Sequence, residues 1–153
     1  MKASSKAYEL IRKFEGKSNF AYQDSVGVWT IGYGHTGDVV KGQTITDAEV
    51  ERLLAADVAV AEKVVNAQNL TLTQNQFDSL VDFVFNLGAG NFQKSTLLKK
   101  IKADPNDPTI YDEFLRWVYA GGVKLLGLVR RRTDEAELYF LGIPKKKVSI
   151  NIY

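Results

Sequence analysis

Near the start of the chain, apolar residues recur at Ala7, Leu10, Ile11 and Phe14, the spacing of one helix face. This predicts a helix over residues 5–15, capped by Ser4 or Ser5 and stopped at Gly16. The period then changes. Val26, Val28 and Trp29 flank Gly27, and Thr30-Ile31-Gly32-Tyr33-Gly34 is β-prone but broken by glycine, which predicts short, twisted strands. Thr46-Asp47-Ala48-Glu49 reads as a capping box, in which hydroxyl and carboxylate satisfy each other's backbone donors. It opens a helix of about twenty residues with Val50, Leu53, Leu54, Ala61, Val64 and Val65 on one face, long enough to bridge two lobes. A second capping box, Thr73 to Gln76, leads into Phe77, Leu80, Val81, Val84 and Phe85 and is ended by Gly88 and Gly90. Ser95 is placed to cap a helix carrying Leu97, Leu98 and Ile101. Residues 104–108 form a loop, Thr109 to Val118 a further helix, Gly121-Gly122 a turn, and residues 128–141 a last helix closed by Gly142 and Pro144. A little β structure early and helices throughout define an α+β domain.

Composition narrows what such a domain does. Its 153 residues suit one compact unit, and 45% hydrophobic with 25% charged residues is far from a disordered composition. A net charge of +2 does not point to nucleic acid. With no cysteine and a single histidine, disulfides and thiolate metal sites are excluded, and no ligand spacing calls for a metal or cofactor. No apolar run reaches membrane-spanning length, so no membrane insertion is expected. The N-terminal MKASSKAYELIRKFE lacks the apolar stretch of a signal peptide, so export would need a leader before Met1 or a separate route.

The chemistry concentrates in FEGKSNFAYQDSVGVWTIGYGHTG, residues 14–37. Glu15 closes its helix, where unpaired carbonyls make the local potential negative, and Phe14 and Phe20 bring apolar surface. Both favour the protonated acid that a proton donor needs. A solvated glutamate that merely ends a helix is the commoner case. Taken singly, Asp24 in YQDSVG is a turn residue, Thr30 a strand threonine, and Gly32 and Gly34 either bends or points of close backbone approach.

Their joint spacing says more. Glu15, eight residues, Asp24, five residues, Thr30 and then IGYGHT resembles the active-site signature of the phage-type lysozymes, glycoside hydrolase family 24. The resemblance continues through ITDAEVERLLAADV, FVFNLGAGNFQKSTLL and WVYAGGVKLLGLVRRRTDEAELYFLG, in the order the family has them. It implies a lysozyme-like fold: a small hairpin-bearing lobe (about 14–60), a long connecting helix, and a larger helical lobe made of 1–13 with 61–153. It also implies a muramidase that cleaves the β-1,4 link between N-acetylmuramic acid and N-acetylglucosamine in peptidoglycan. Glu15 inherits the acid's role, while Asp24 and Thr30 inherit the holding and activation of water. The family is regarded as inverting, which calls for carboxyls roughly 6.5–9.5 Å apart. Thr36, Phe85 and Ser95 match positions that line the sugar cleft in relatives, although Phe85 also suits core packing and Ser95 a helix cap. The resemblance further implies a monomer acting on the glycan strand, held in the host cytoplasm until a separate holin-type pore releases it to the wall in the periplasm. A lytic transglycosylase and a non-catalytic wall-binding module are the rival readings.

Three features lie beside this pattern. His35 suits a structural hydrogen bond or ion pair better than a titrating base. Arg130-Arg131-Arg132 would oppose the dipole in the first turn of the last helix, with Asp134 and Glu135 following at i+4 in the weaker pairing order. Either the run is a solvated basic face, or one arginine meets Glu15 and offsets the helix-end potential. The tail PKKKVSINIY, a basic cluster before alternating β-prone residues, reads as a surface strand or an attraction for an anionic wall.

Overall fold

A computed structural model describes residues 1–145; the end of the tail, 146–153, lies outside the described residues, and so does the strand expected there. The helix α1 spans Ser5–Phe14, followed by the strands β1 (Lys17–Gln23) and β2 (Trp29–Tyr33). Then come α2 (Asp47–Asn66), α3 (Gln74–Leu87), α4 (Ala89–Lys94), α5 (Thr96–Ala103) and α6 (Ile110–Phe114). A two-residue hairpin, β3 (Tyr119–Ala120) with β4 (Val123–Lys124), precedes α7 (Leu126–Phe140).

Local signals set most boundaries. Both capping boxes form: Thr46 accepts from Glu49 N, Thr73 from Gln76 N, and each partner side chain reaches back. The strand prediction shifts, however. Residues 24–28 are the hairpin's turn, and the first strand is Lys17–Gln23, which pairs antiparallel with β2 from Lys17↔Tyr33 to Gln23↔Trp29. A bulge between Ser18 and Tyr22 breaks the alternation that would have marked β1. Further along, Gly90 lies inside α4 instead of ending α3, and the helix expected over 109–118 holds only from Ile110 to Phe114.

The helix α3 organises the helical body. Its residues from Gln76 to Val84 are all buried, so the apolar stripe read from sequence belongs to a helix enclosed on every side. Phe77, Leu80, Val81, Phe83 and Val84 join Ala7 and Ile11 of α1, Leu54, Val58, Ala61 and Val65 of α2, and Ala136 and Tyr139 of α7 in one core. Phe83 meets Phe92, Phe114 and Trp117 edge-on at centroid distances of 6.1, 5.9 and 5.8 Å. The polar residues of α3 each find a partner. Asp78 accepts from Ser4 N and Gln74 Nε2 at 2.9 Å, and Ser79 Oγ donates to Glu135 O at 2.7 Å. Asp82 faces α7, to which the site owes its shape.

The hairpin is held to this body through α2. Gly32 of β2 is buried beside Val50 and Ile45, and Asn19 Nδ2 donates to Ile45 O at 3.0 Å. Beyond β2, the half-buried His35 ring lies between Asp57 Oδ2 of α2 at 2.8 Å and Asp38 Oδ1 at 2.7 Å. Burial alone would lower the His35 pKa, but the two carboxylates outweigh it and the net shift is upward.

The sign of this linkage fixes a test. Because the folded-state value is raised, the clamp's contribution is complete below the ordinary histidine pKa and is lost as pH rises through the folded value. Asp38 is shifted downward by its bond to His35, so its share is lost only under acid conditions. The Tm deficit of His35→Gln relative to wild type is therefore expected to be largest near about pH 5–6 and to shrink by about pH 9. Paired thermal melts across that range measure it, and a deficit that grows with pH contradicts the clamp.

Candidate active site

Glu15 is the C-cap of α1, its backbone N–H bonded to Ile11 O at 2.8 Å and its φ and ψ already extended. The side chain therefore leaves the helix axis and turns toward α7. There Arg131 Nη1 donates to Glu15 Oε1 at 2.9 Å, while Arg131 Nε and Nη2 take both oxygens of Asp82 at 3.0 and 2.9 Å. The guanidinium also stacks 5.7 Å from the Phe14 ring centre. A planar fork with five donors suits this double task, and an ammonium could not hold both carboxylates in fixed planes. Arg131 is 4% exposed and Asp82 fully buried, so the pair is desolvated and its geometry is imposed by packing. Its two anionic partners push the Arg131 pKa upward although burial opposes this.

Only one arginine of the run meets Glu15. Because α7 begins at Leu126, the run lies in its second turn, where the dipole has faded. Arg130 is exposed, whereas Arg131 and Arg132 are buried, so a solvated basic face describes one residue of the three. Asp134 pairs outward with Lys13 at 2.6 Å.

The other oxygen of Glu15 lies against Gly34. A Cβ built there would fall 2.8 Å from Oε2 and 3.3 Å from Cδ, and Gly34 has φ +74°. Only glycine supplies both the left-handed turn and the space for the carboxyl. Gly34 also lines a groove of about 290 Å³, together with Thr36, Asp57, Val60, Phe85 and residues beside them on α2, α3 and α4. One glycine thus joins the acid to the groove.

At the far end of the hairpin, Asp24 closes a three-residue loop: Gly27 N donates to Asp24 O at 3.0 Å, Asp24 N to Val28 O at 2.9 Å, and Gly27 has φ +85°. Asp24 Oδ1 accepts from Val26 N at 2.9 Å and Val28 N at 2.8 Å, bonds that fix the carboxylate plane. Strand alternation places Asp24, across from Val28, on the same hairpin face as Thr30. Thr30 is buried and its Oγ1 donates to Val28 O at 2.9 Å. Asp24's turn role and its position beside Thr30 are therefore one arrangement.

The cleft residues divide. Thr36 is exposed and Phe85 half-buried, and both line the groove. Ser95 does not. It is 2% exposed, donates to Phe92 O at 2.7 Å and accepts from Leu98 N at 3.0 Å, so its hydroxyl is spent on capping α5 and leaves no surface for a sugar. Asp82, Asp57 and Asp38 carry the site's supporting contacts, yet nothing in their local pattern singles them out. The acids at i+4 in the arginine run were the one available signal of a buried network.

Gly34→Ala is expected to cost about 1 kcal/mol of stability through its positive φ. By moving the Glu15 carboxyl it should lower any turnover that depends on Glu15 by about 10- to 100-fold. Gly37→Ala carries φ +109° but meets nothing within 4 Å, and so separates backbone strain from displacement of the acid. Equal activity in the two variants overturns the role assigned to Gly34.

Residues 12–135 match the family model described as Phage lysozyme. The SAR-endolysin of Enterobacteria phage PA-2 is 42% identical over 130 residues, covering 84% of this chain and 78% of that protein. Among solved structures, an endolysin from Escherichia coli O157:H7 phage FAHEc1 superposes with a TM-score of 0.84 at 36% identity, covering 95% of this chain and 98% of the other. The muramidase domain of SpmX from Asticaccaulis excentricus gives 0.81 at 35% identity, with 90% and 97% covered. With its fold, its hairpin and the match running from the first helix into the last, the chain belongs to the phage lysozyme family.

Proposed function

We propose that this protein is an endolysin-type muramidase that hydrolyses the β-1,4 bond between N-acetylmuramic acid and N-acetylglucosamine in peptidoglycan. The observation that carries the reading is the hold on Glu15: Oε1 is taken by Arg131, and Oε2 lies at Gly34 on the edge of the groove. A proton on Glu15 then belongs on Oε2, because Oε1 already faces an N–H donor. That proton passes to the glycosidic oxygen as the bond from C1 breaks.

Asp24 and Thr30 suit the other half of the reaction. Thr30 Oγ1 has given its own proton to Val28 O and keeps lone pairs for accepting one from water. Asp24 Oδ1 is occupied by two backbone N–H groups, which leaves Oδ2 as the base. A water donating one hydrogen to each aims a lone pair at C1. Its oxygen bonds to C1 from the face opposite the leaving group, and its proton goes to Asp24, with inversion at the anomeric carbon. Thr36 and the Phe85 ring edge the groove where the glycan strand is placed. Around it, residues 14–60 are assigned to the smaller lobe and 1–13 with 61–145 to the larger, the rest of the 61–153 segment lying outside the described residues. The protein is assigned as a monomer that gathers in the host cytoplasm and reaches the wall through a separate holin-type pore.

Glu15→Gln is expected to lower clearing of purified peptidoglycan by about 10²–10⁴-fold while pelleting with the wall is retained. Reducing ends formed by the wild type support hydrolysis, and 1,6-anhydro ends would favour a transglycosylase instead. An α-anomer as first product, read by NMR before mutarotation, supports inversion, and a β-anomer contradicts it. Clearing that survives Glu15→Gln removes the acid assignment.

A further inference from the structure

The contacts behind Arg131 extend deeper than the acid requires. Glu135 is fully buried on α7, one turn beyond Arg131, and faces Asp82 of α3. Its Oε1 lies 3.3 Å from Arg132 Nη1, an ion pair without hydrogen-bond alignment, and among the described residues neither of its oxygens has an N–H or O–H donor. Arg132 is fully buried as well, with Nη2 bonded to Asn86 Oδ1 and its guanidinium 5.2 Å from the Phe83 ring centre. Its neighbour on α3 is the Asp82 carboxyl, and a hydrogen bond between the two acids moves Asp82 down and Glu135 up.

Two carboxyls can hydrogen-bond to one another only through a proton held by one of them. Asp82 already spends both oxygens on Arg131, which makes it the anion, so Glu135 holds the proton. Burial first, and then the bond to Asp82, push Glu135 well above the usual carboxylate range, while Arg132 and Arg131 oppose this. Burial also resists ionisation of Asp82, but the bonds from Glu135 and Arg131 prevail and shift it downward.

We propose that Glu135 is a positioning residue for the reaction: a neutral carboxylic acid that donates its proton to Asp82, and so fixes the carboxylate that aims Arg131 and, through it, Glu15. This rests on Glu15 being the acid. Neutrality at Glu135 serves that purpose, since an ionised Glu135 would repel Asp82 and compete for Arg131. The relay of four side chains runs from the core to the groove, with the Asp82–Glu135 proton at its buried end and the Glu15 proton at the groove.

The test contrasts Glu135→Gln, whose amide still donates to Asp82 and accepts near Arg132, with Glu135→Leu, which keeps the volume and removes the donor. On a soluble peptidoglycan oligomer, Glu135→Gln is expected to keep kcat within about 3-fold of wild type. Glu135→Leu should lose about 10- to 100-fold in kcat with KM little changed, because the acid is misaimed while the groove is intact. Infrared spectra of the whole protein at neutral pH should show the C=O stretch of a buried protonated carboxyl, present in wild type and in Glu15→Gln and absent from Glu135→Gln. In Glu135→Gln the decline of Tm above the ordinary carboxylate range should also flatten, since a raised folded-state pKa costs stability as pH climbs from the unfolded value to the folded one. No such band in the wild type, or a kcat loss in Glu135→Gln equal to that in Glu135→Leu, overturns the proposal. If Glu135→Leu does not fold, the band and the glutamine variant decide. Should Glu15→Gln stay active while the band is present, the acid assignment falls and the Asp82–Glu135 proton stands.

Discussion

A guanidinium buried between two carboxylates is the contact on which the rest of the site depends. Arg131 joins α7, α3 and the end of α1 at one point, and each of those helices has separate reasons to be where it is. Removing one partner from such a desolvated pair typically costs about 3–5 kcal/mol, because the other charge stays behind unmatched. The arrangement is therefore poor as a device for stability and good as a device for position. It holds one oxygen of a flexible glutamate in a fixed plane and leaves the other at the groove.

The hairpin answers this from the other side. Its two strands are short and β1 has no buried residue, yet it carries Asp24 and Thr30 on one face because Gly27, with its positive φ, closes the loop and the ladder continues into Val28. Gly34 does the complementary job at the open end, turning the chain away just where the Glu15 carboxyl needs room. Glu15 and Asp24 thus sit at opposite ends of one supersecondary unit, and their spacing is set by strand length instead of by distant packing.

Features that depend on neighbouring residues alone were legible in the sequence. Thr46 and Thr73 announce their helices because a capping box is complete within four residues, and Ser95 was equally readable as a cap. The same locality accounts for the capping role of Ser95: family position suggests a sugar contact, and in the structure the hydroxyl is bonded to Phe92 and Leu98. The strand Lys17–Gln23 escaped because a bulge and wide exposure erase its period. Asp82 sits on a largely apolar helix and its partner is 49 residues away, and no local rule connects them. Among three successive arginines, identity could not say which side chain turns inward; the start of α7 two residues earlier than expected decides the phase.

The attachment of the hairpin carries one more consequence. A two-stranded sheet has little stability of its own, and this one touches the body through α2, the His35 ring and the neighbourhood of Glu15. The enclosed core around α3 takes none of its fully buried residues from the hairpin, and Tyr33 of β2 packs against its margin. The protein accordingly has two tiers of cooperativity: the hairpin can detach and return while the helices stay assembled, and amide exchange in β1 and β2 would outpace that in α3 by orders of magnitude. Heating would then silence the enzyme reversibly before its far-ultraviolet signal reports any loss of structure.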